Sequence, residues 1–140
     1  MERRRILLVD DHLDNLELLT VILSEKYNVK GYTSASEAVS RFKEFTPDLL
    51  VLDVRMSPID GVECLQAIRA TSGYQNIPAI ALTALAHDAE KVALREAGFQ
   101  AIVTKPIFEE QSLVALIDSL LQLSPAMTDE KPQYKQSFVA

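Results

Sequence analysis

Leu49, Leu50, Val51 and Leu52 form an unbroken apolar run that ends on Asp53. Four large apolar residues in a row have no amphipathic period, so the segment suits a strand covered on both faces, as in a parallel sheet within an α/β domain. A buried strand that stops on a carboxylate places that group at its C-terminal edge, where open α/β sheets bind ligands. On this stretch alone, a turn beginning at Asp53 is an equal reading, because Asp is common in turns.

The remaining chain repeats the pattern. Ile6 to Val9 is a second apolar run and ends on Asp10 and Asp11. Leu16, Leu19, Thr20 and Leu23 then recur at helical spacing, with Asp14 or Asn15 placed to cap the helix. Tyr27 to Tyr32 reads as a shorter, more polar strand near a sheet edge. Ser34 or Ser36 can open the next helix, with Ala35, Ala38, Val39, Phe42 and Phe45 inward, and Thr46 and Pro47 stop it. After Asp53 comes a turn-rich loop, Met56 to Gly61, followed by a helix with Val62, Leu65 and Ile68 inward. Ile77 to Leu82 is another apolar run, ending on Thr83. A helix over His87 to Ala97, with Val92, Ala93 and Ala97 on one face, closes at Gly98. Ala101 to Val103 is a fifth strand, leading to Thr104, Lys105 and Pro106. The last helix, roughly Phe108 to Leu123, turns Leu113, Leu116, Ile117, Leu120 and Leu121 inward. Five strands alternating with five helices predict a doubly wound parallel sheet.

Residues 1–124 are expected to form one domain. Residues 125–140, with prolines, mixed charge and no period, read as a flexible C-terminal tail. The formal net charge of −6 argues against nucleic acid and anionic membrane as partners. No apolar run approaches the ~20 residues of a membrane span. A single cysteine, Cys64, cannot form an internal disulfide, which makes the cytoplasm the expected location. Its thiol is expected at the surface or half-buried on its helix.

Four strands thus end on residues able to do chemistry: Asp10 with Asp11, Asp53, Thr83 and Lys105. In a parallel sheet these ends share one edge. Each alone is an ordinary cap, turn residue or solvated charge. Together, three carboxylates repel one another unless a cation sits among them. Oxygen-only ligation favours a hard cation such as Mg²⁺. Such a pocket suits a phosphoryl group: Asp53 would attack phosphorus, Lys105 would pair with one phosphoryl oxygen, and Thr83 would hydrogen-bond another. Asp10 and Asp11 read as the metal pair. His12 and His87 read as solvated, and Arg3, Arg4 and Arg5 as a solvated lead-in.

Leu8 to Asp11, Leu52 to Gly61, Leu82 to Ala84 and Thr104 to Pro106 together resemble the receiver domain of two-component response regulators, over residues 5–123. The resemblance implies a flavodoxin-like five-stranded sheet in the order 2-1-3-4-5. It implies that Asp53 accepts phosphate from the phosphohistidine of a histidine kinase or phosphotransfer protein. Asp11, Asp53 and the Arg55 backbone carbonyl would bind Mg²⁺ directly, with Asp10 acting mainly through water. It further implies a cis peptide at Lys105–Pro106, and a loop beside Asp53 shaped by Pro58 and Gly61. The chain would catalyse only its own phosphorylation and dephosphorylation. Its output would be a surface read by a downstream protein, with a homodimer through the fourth helix, fifth strand and fifth helix as one arrangement the resemblance allows.

Two positions depart from the family pattern. Ile102 stands where an aromatic is usual, three residues before the lysine, so it either alters signalling or simply packs against the last helix. Arg55, two residues after Asp53, puts a large cation at the pocket mouth. Two rival functions remain: a phosphate-independent scaffold and an aspartyl-phosphate phosphohydrolase. The second needs an acid/base Asp where Arg55 stands.

Overall fold

A computed structural model describes residues 3–84, 87–105, 107, 110–123 and 138–139. Strands β1 (Arg5–Val9), β2 (Asn28–Tyr32), β3 (Leu49–Asp53), β4 (Ala79–Thr83) and β5 (Ala101–Thr104) alternate with helices α1 (Leu13–Ser24), α2 (Ala35–Phe45), α3 (Gly61–Arg69), α4 (Asp88–Ala97) and α5 (Glu110–Leu123). All strand pairs are parallel, and the five expected strands lie in the order 2-1-3-4-5. A two-residue strand, β6 (Phe138–Val139), extends this sheet at the β5 edge, opposite Ala101 and Ile102. Of the segment expected to be a tail, only these two residues are described. Pro106, and with it the Lys105–Pro106 peptide, lies outside the described residues.

Strand alternation divides the core in two. Leu7, Val9, Leu50, Leu52 and Ile102 face α2, α3 and the C-terminal half of α4. Ile6, Leu8, Leu49, Val51, Ala101 and Val103 face α1 and α5. Every residue of β3 and β4 is buried, which explains why neither strand shows alternation in sequence. Ile102 is fully buried among Leu94, Phe99 and the α3 side chains. It therefore faces away from the last helix, contrary to the plain packing expectation, because one step along β5 reverses the face.

Three helix readings are corrected. Cys64 is fully buried. Gly61, Cys64, Leu65 and Ile68 form the inward stripe of α3 at spacing i, i+3, i+4, i+7, and Val62 sits at its margin. In α4 the buried residue is Leu94, while Val92 is 49% exposed. Helix α1 starts after His12, without a side-chain cap; Asp14 lies in its first turn. The other expected faces hold, and Ser34 caps α2 by accepting from the Glu37 amide at 3.2 Å. No described helix is long and apolar enough to cross a membrane.

Candidate functional site

The C-terminal ends of β1, β3, β4 and β5 meet at one edge. Backbone bonds hold them in step: Val54 N donates to Leu82 O at 3.0 Å, and Lys105 N donates to Thr83 O at 2.8 Å. Asp10, Asp53 and Thr83 emerge there, and all three are buried.

The two buried carboxylates are oriented by the same local device. Asp10 Oδ1 accepts from the amide of His12 at 2.9 Å, and Asp53 Oδ1 accepts from the amide of Arg55 at 3.1 Å. A carboxylate that bonds the amide two residues onward makes an Asx-type turn, which fixes the side chain against its own backbone. The second oxygens then face one cation. Lys105 Nζ lies 3.2 Å from Asp53 Oδ2 and 3.5 Å from Asp10 Oδ2. Only the shorter pairing is a hydrogen bond; Asp10 Oδ2 is buried with no hydrogen-bond partner.

Burial holds the Asp53 carboxyl above the usual carboxylate range. Lys105 pulls it back down and the neighbouring Asp10 pushes it up. One ammonium against two buried carboxylates leaves a negative excess, to which Asp11, at the mouth, adds.

The excess fits a cation. Ligand atoms of Asp10, Asp11, His12 and Asp53 all lie within 4.8 Å of one another. Carboxylate oxygens dominate the set, which suits a hard ion, and the unpartnered Asp10 Oδ2 is an available donor. His12 is indeed solvated, with its side chain 70% exposed, yet its Nδ1 stands 3.1 Å from Asp11 Oδ1. The sequence reading therefore placed it correctly in solvent and missed its place in this cluster. His87 is exposed at the start of α4.

Gly61 is required where the loop after Asp53 turns into α3. Its amide donates to Val54 O at 3.0 Å, and a Cβ there would come within 2.4 Å of the Asp53 carbonyl oxygen. The same loop contains a cis peptide at Ser57–Pro58.

One participant escaped the sequence reading. Glu90, in the first turn of α4, reaches across the mouth between Asp11, Arg55 and Ser57. Its Oε2 accepts from Arg55 Nη2 at 3.2 Å, and its Oε1 accepts from Thr83 Oγ1 at 3.4 Å. An acid in a first helical turn is ordinary on dipole grounds, so nothing in the sequence set it apart.

This arrangement of strand ends is matched across most of the chain. The model of the response regulator receiver domain family covers residues 6–118. The chain belongs to that family. An uncharacterized 14.6 kDa protein of Leptolyngbya boryana is 37% identical over 103 residues, covering 73% of this chain and 79% of that protein. The transcriptional regulatory protein CpxR homolog of Haemophilus influenzae is 35% identical over 121 residues, covering 86% of this chain and 51% of that regulator. The chain thus spans about half the length of several curated regulators it matches. Among solved structures, a CheY-like response regulator receiver domain protein from Methanospirillum hungatei aligns with a TM-score of 0.75 at 27% identity, covering 86% of this chain and 95% of that one. The protein is therefore the receiver domain of a response regulator in two-component signalling. Receiver domains are signalling modules rather than conventional enzymes. They bind Mg²⁺ at an acidic pocket and interact with histidine kinases or phosphotransfer proteins.

Proposed function

We propose that Asp53 is the phosphoacceptor of a Mg²⁺-dependent transfer from a phosphohistidine donor, and that its phosphorylation state controls a protein-interaction surface in the cytoplasm. The observation that carries this reading is the setting of Asp53. It is a buried carboxylate with one oxygen tied to its own loop and the other turned to Lys105, and it belongs to a group with Asp10, Asp11 and His12 whose ligand atoms could hold a cation.

In the forward step a carboxylate oxygen of Asp53 attacks phosphorus. The P–O bond forms as the P–N bond of the donor breaks, and the donor imidazole leaves with the electron pair and takes up a proton. Lys105 then faces the added phosphoryl oxygens as well as the acceptor, and the Thr83 hydroxyl, which donates to Glu90 Oε1 at 3.4 Å, would turn from it to donate to one of them. The carboxylates of Asp10, Asp11 and Asp53, with the Arg55 backbone carbonyl, would hold the metal. Mg²⁺ when bound neutralises charge on the phosphoryl oxygens. In hydrolysis water attacks phosphorus, the bond from phosphorus to the Asp53 oxygen breaks, inorganic phosphate departs with the water's oxygen and takes up or releases its protons to solvent, and the Asp53 carboxylate is restored.

Incubation with acetyl phosphate and Mg²⁺, followed by intact mass measurement, tests the reading. The wild type should gain one phosphoryl group, and chelation of the metal should prevent it. Uptake by Asp53→Asn at the wild-type rate would refute the assignment.

A further inference from the structure

Helix α4 is fastened unequally at its two ends. At the C-terminal end Leu94 is buried in the core beside Ile102 and Phe99. Gly98 closes the helix in the left-handed region, and its carbonyl accepts from Arg69 Nη1 at 2.8 Å. At the N-terminal end His87 offers no side-chain cap, and Asp88, Ala89, Val92 and Ala93 are exposed. Among the described residues, Glu90 ties the first turn to the body of the domain, through Thr83 at 3.4 Å and Arg55 at 3.2 Å.

Both donors belong to residues that neighbour Asp53. Thr83 ends the strand beside β3, opposite the last residue of β5, and is fully buried. Arg55 binds Asp53 Oδ1 through its backbone amide. A phosphoryl group on Asp53 brings a charge of roughly −2 and three strong acceptor oxygens to the place these donors flank. A guanidinium can bind a doubly charged phosphoryl group through two N–H groups, which outweighs the single contact that holds it to the Glu90 carboxylate. The same charge repels the Glu90 carboxylate.

We propose that Glu90 is a positioning residue that holds the first turn of α4 against the pocket in the unphosphorylated protein and is released when phospho-Asp53 takes Thr83 and Arg55. The inference rests on Asp53 being the acceptor. It places the moving part at the N-terminal end of α4, pivoting on Leu94 and Gly98. It also supplies a route to a surface that needs no aromatic side chain at Ile102.

The test is amide hydrogen exchange across α4, with intact mass recorded on the same samples, for wild type, Glu90→Ala and Glu90→Gln, each with and without acetyl phosphate and Mg²⁺. In the wild type, phosphorylation should speed exchange of the Lys91 amide, which donates to His87 O at 2.9 Å, while the Gly98 amide stays unchanged. The expected acceleration is about tenfold, the scale of one lost hydrogen bond to a charged group. Unphosphorylated Glu90→Ala should already exchange at the faster rate, and should show no further rise when it gains the phosphoryl mass. Glu90→Gln, which keeps an acceptor for Thr83 but loses the charge facing Arg55, should fall between. Wild-type exchange in unphosphorylated Glu90→Ala, or the full phosphorylation-dependent rise in that variant, would overturn the proposal while leaving Asp53 as acceptor. A wild type that gains no mass would overturn both.

Discussion

Helices α3 and α4 begin at the same sheet edge, on either side of the strand end that carries Thr83, yet they are secured by different means. Helix α3 opens with a reciprocal capping box: Asp60 Oδ1 accepts from the Glu63 amide at 2.8 Å, and Glu63 Oε1 accepts from the Asp60 amide at 3.0 Å. It buries four residues, and Arg69 in its last turn bonds the carbonyls of Ile77 and Gly98. Helix α4 has no such cap and buries Leu94 alone. The contrast separates two tasks. Helix α3 fixes the loop beside Asp53, and that loop must not move if Asp53 is to keep its geometry. Helix α4 is fastened to the surroundings of Asp53 by polar contacts, which a change of charge can break, whereas a buried apolar face is indifferent to it.

Three tests sharpen or break this contrast. The largest effect is expected at Gly61, where an added Cβ meets the Asp53 carbonyl oxygen at 2.4 Å and Val54 Cα at 2.9 Å. Both neighbours are backbone, so Gly61→Ala must displace the start of α3, at a cost of about 3 kcal/mol in urea unfolding. A cost under about 1 kcal/mol would show that this junction is soft. Next comes a paired measurement of helix faces. Ile68→Ala in α3 should cost about 2–4 kcal/mol, since Ile68 is fully buried, whereas Val92→Ala in α4 should change stability by less than about 0.5 kcal/mol. Comparable values would erase the distinction between the two helices.

The smallest effect depends on pH. Burial pushes the Cys64 thiol from its ordinary 9.0 up to about 12, with Asp60 adding to the rise. An acid whose folded value is raised favours the folded state while the thiol stays protonated. That contribution is complete below about 9 and declines as pH climbs from about 9 toward 12, because the unfolded chain ionises first. At pH 10 the loss should be about 1.4 kcal/mol relative to neutral pH, the equivalent of one pH unit. Cys64→Ser should flatten that part of the stability profile. An identical profile in the variant would mean that α3 opens locally and lets the thiol ionise in the folded protein.

The fold was legible because β1, β3 and β4 are apolar without interruption and each ends on a polar residue at the same edge. The meeting of Asp10, Asp53, Thr83 and Lys105 followed from that arrangement, whereas the strand order was implied only by the resemblance to receiver domains. What escaped was helical phase and long-range pairing. Cys64 and Leu94 were passed over because Val62 and Val92 offered equally apolar alternatives two positions away, and only packing decides between such faces. Glu90 was invisible for a different reason: its importance lies in Thr83 and Arg55, which the chain brings to it from 7 and 35 residues away. Ile102 was located correctly on the last long strand, but which sheet face it occupies depends on register with β4, opposite Ala81.

The central claim, that Asp53 is the residue that carries the phosphoryl group, is tested most directly by locating that group. The protein is treated with acetyl phosphate and Mg²⁺, the acyl phosphate is reduced with borohydride, and the digest is sequenced by tandem mass spectrometry. Reduction converts a phosphorylated aspartate to homoserine, a mark that unmodified carboxylates do not acquire. The account predicts homoserine at position 53 and none at positions 10, 11 or 60. Homoserine at position 10 or 11 in place of 53, or phosphoryl mass with no mark at 53, would contradict it.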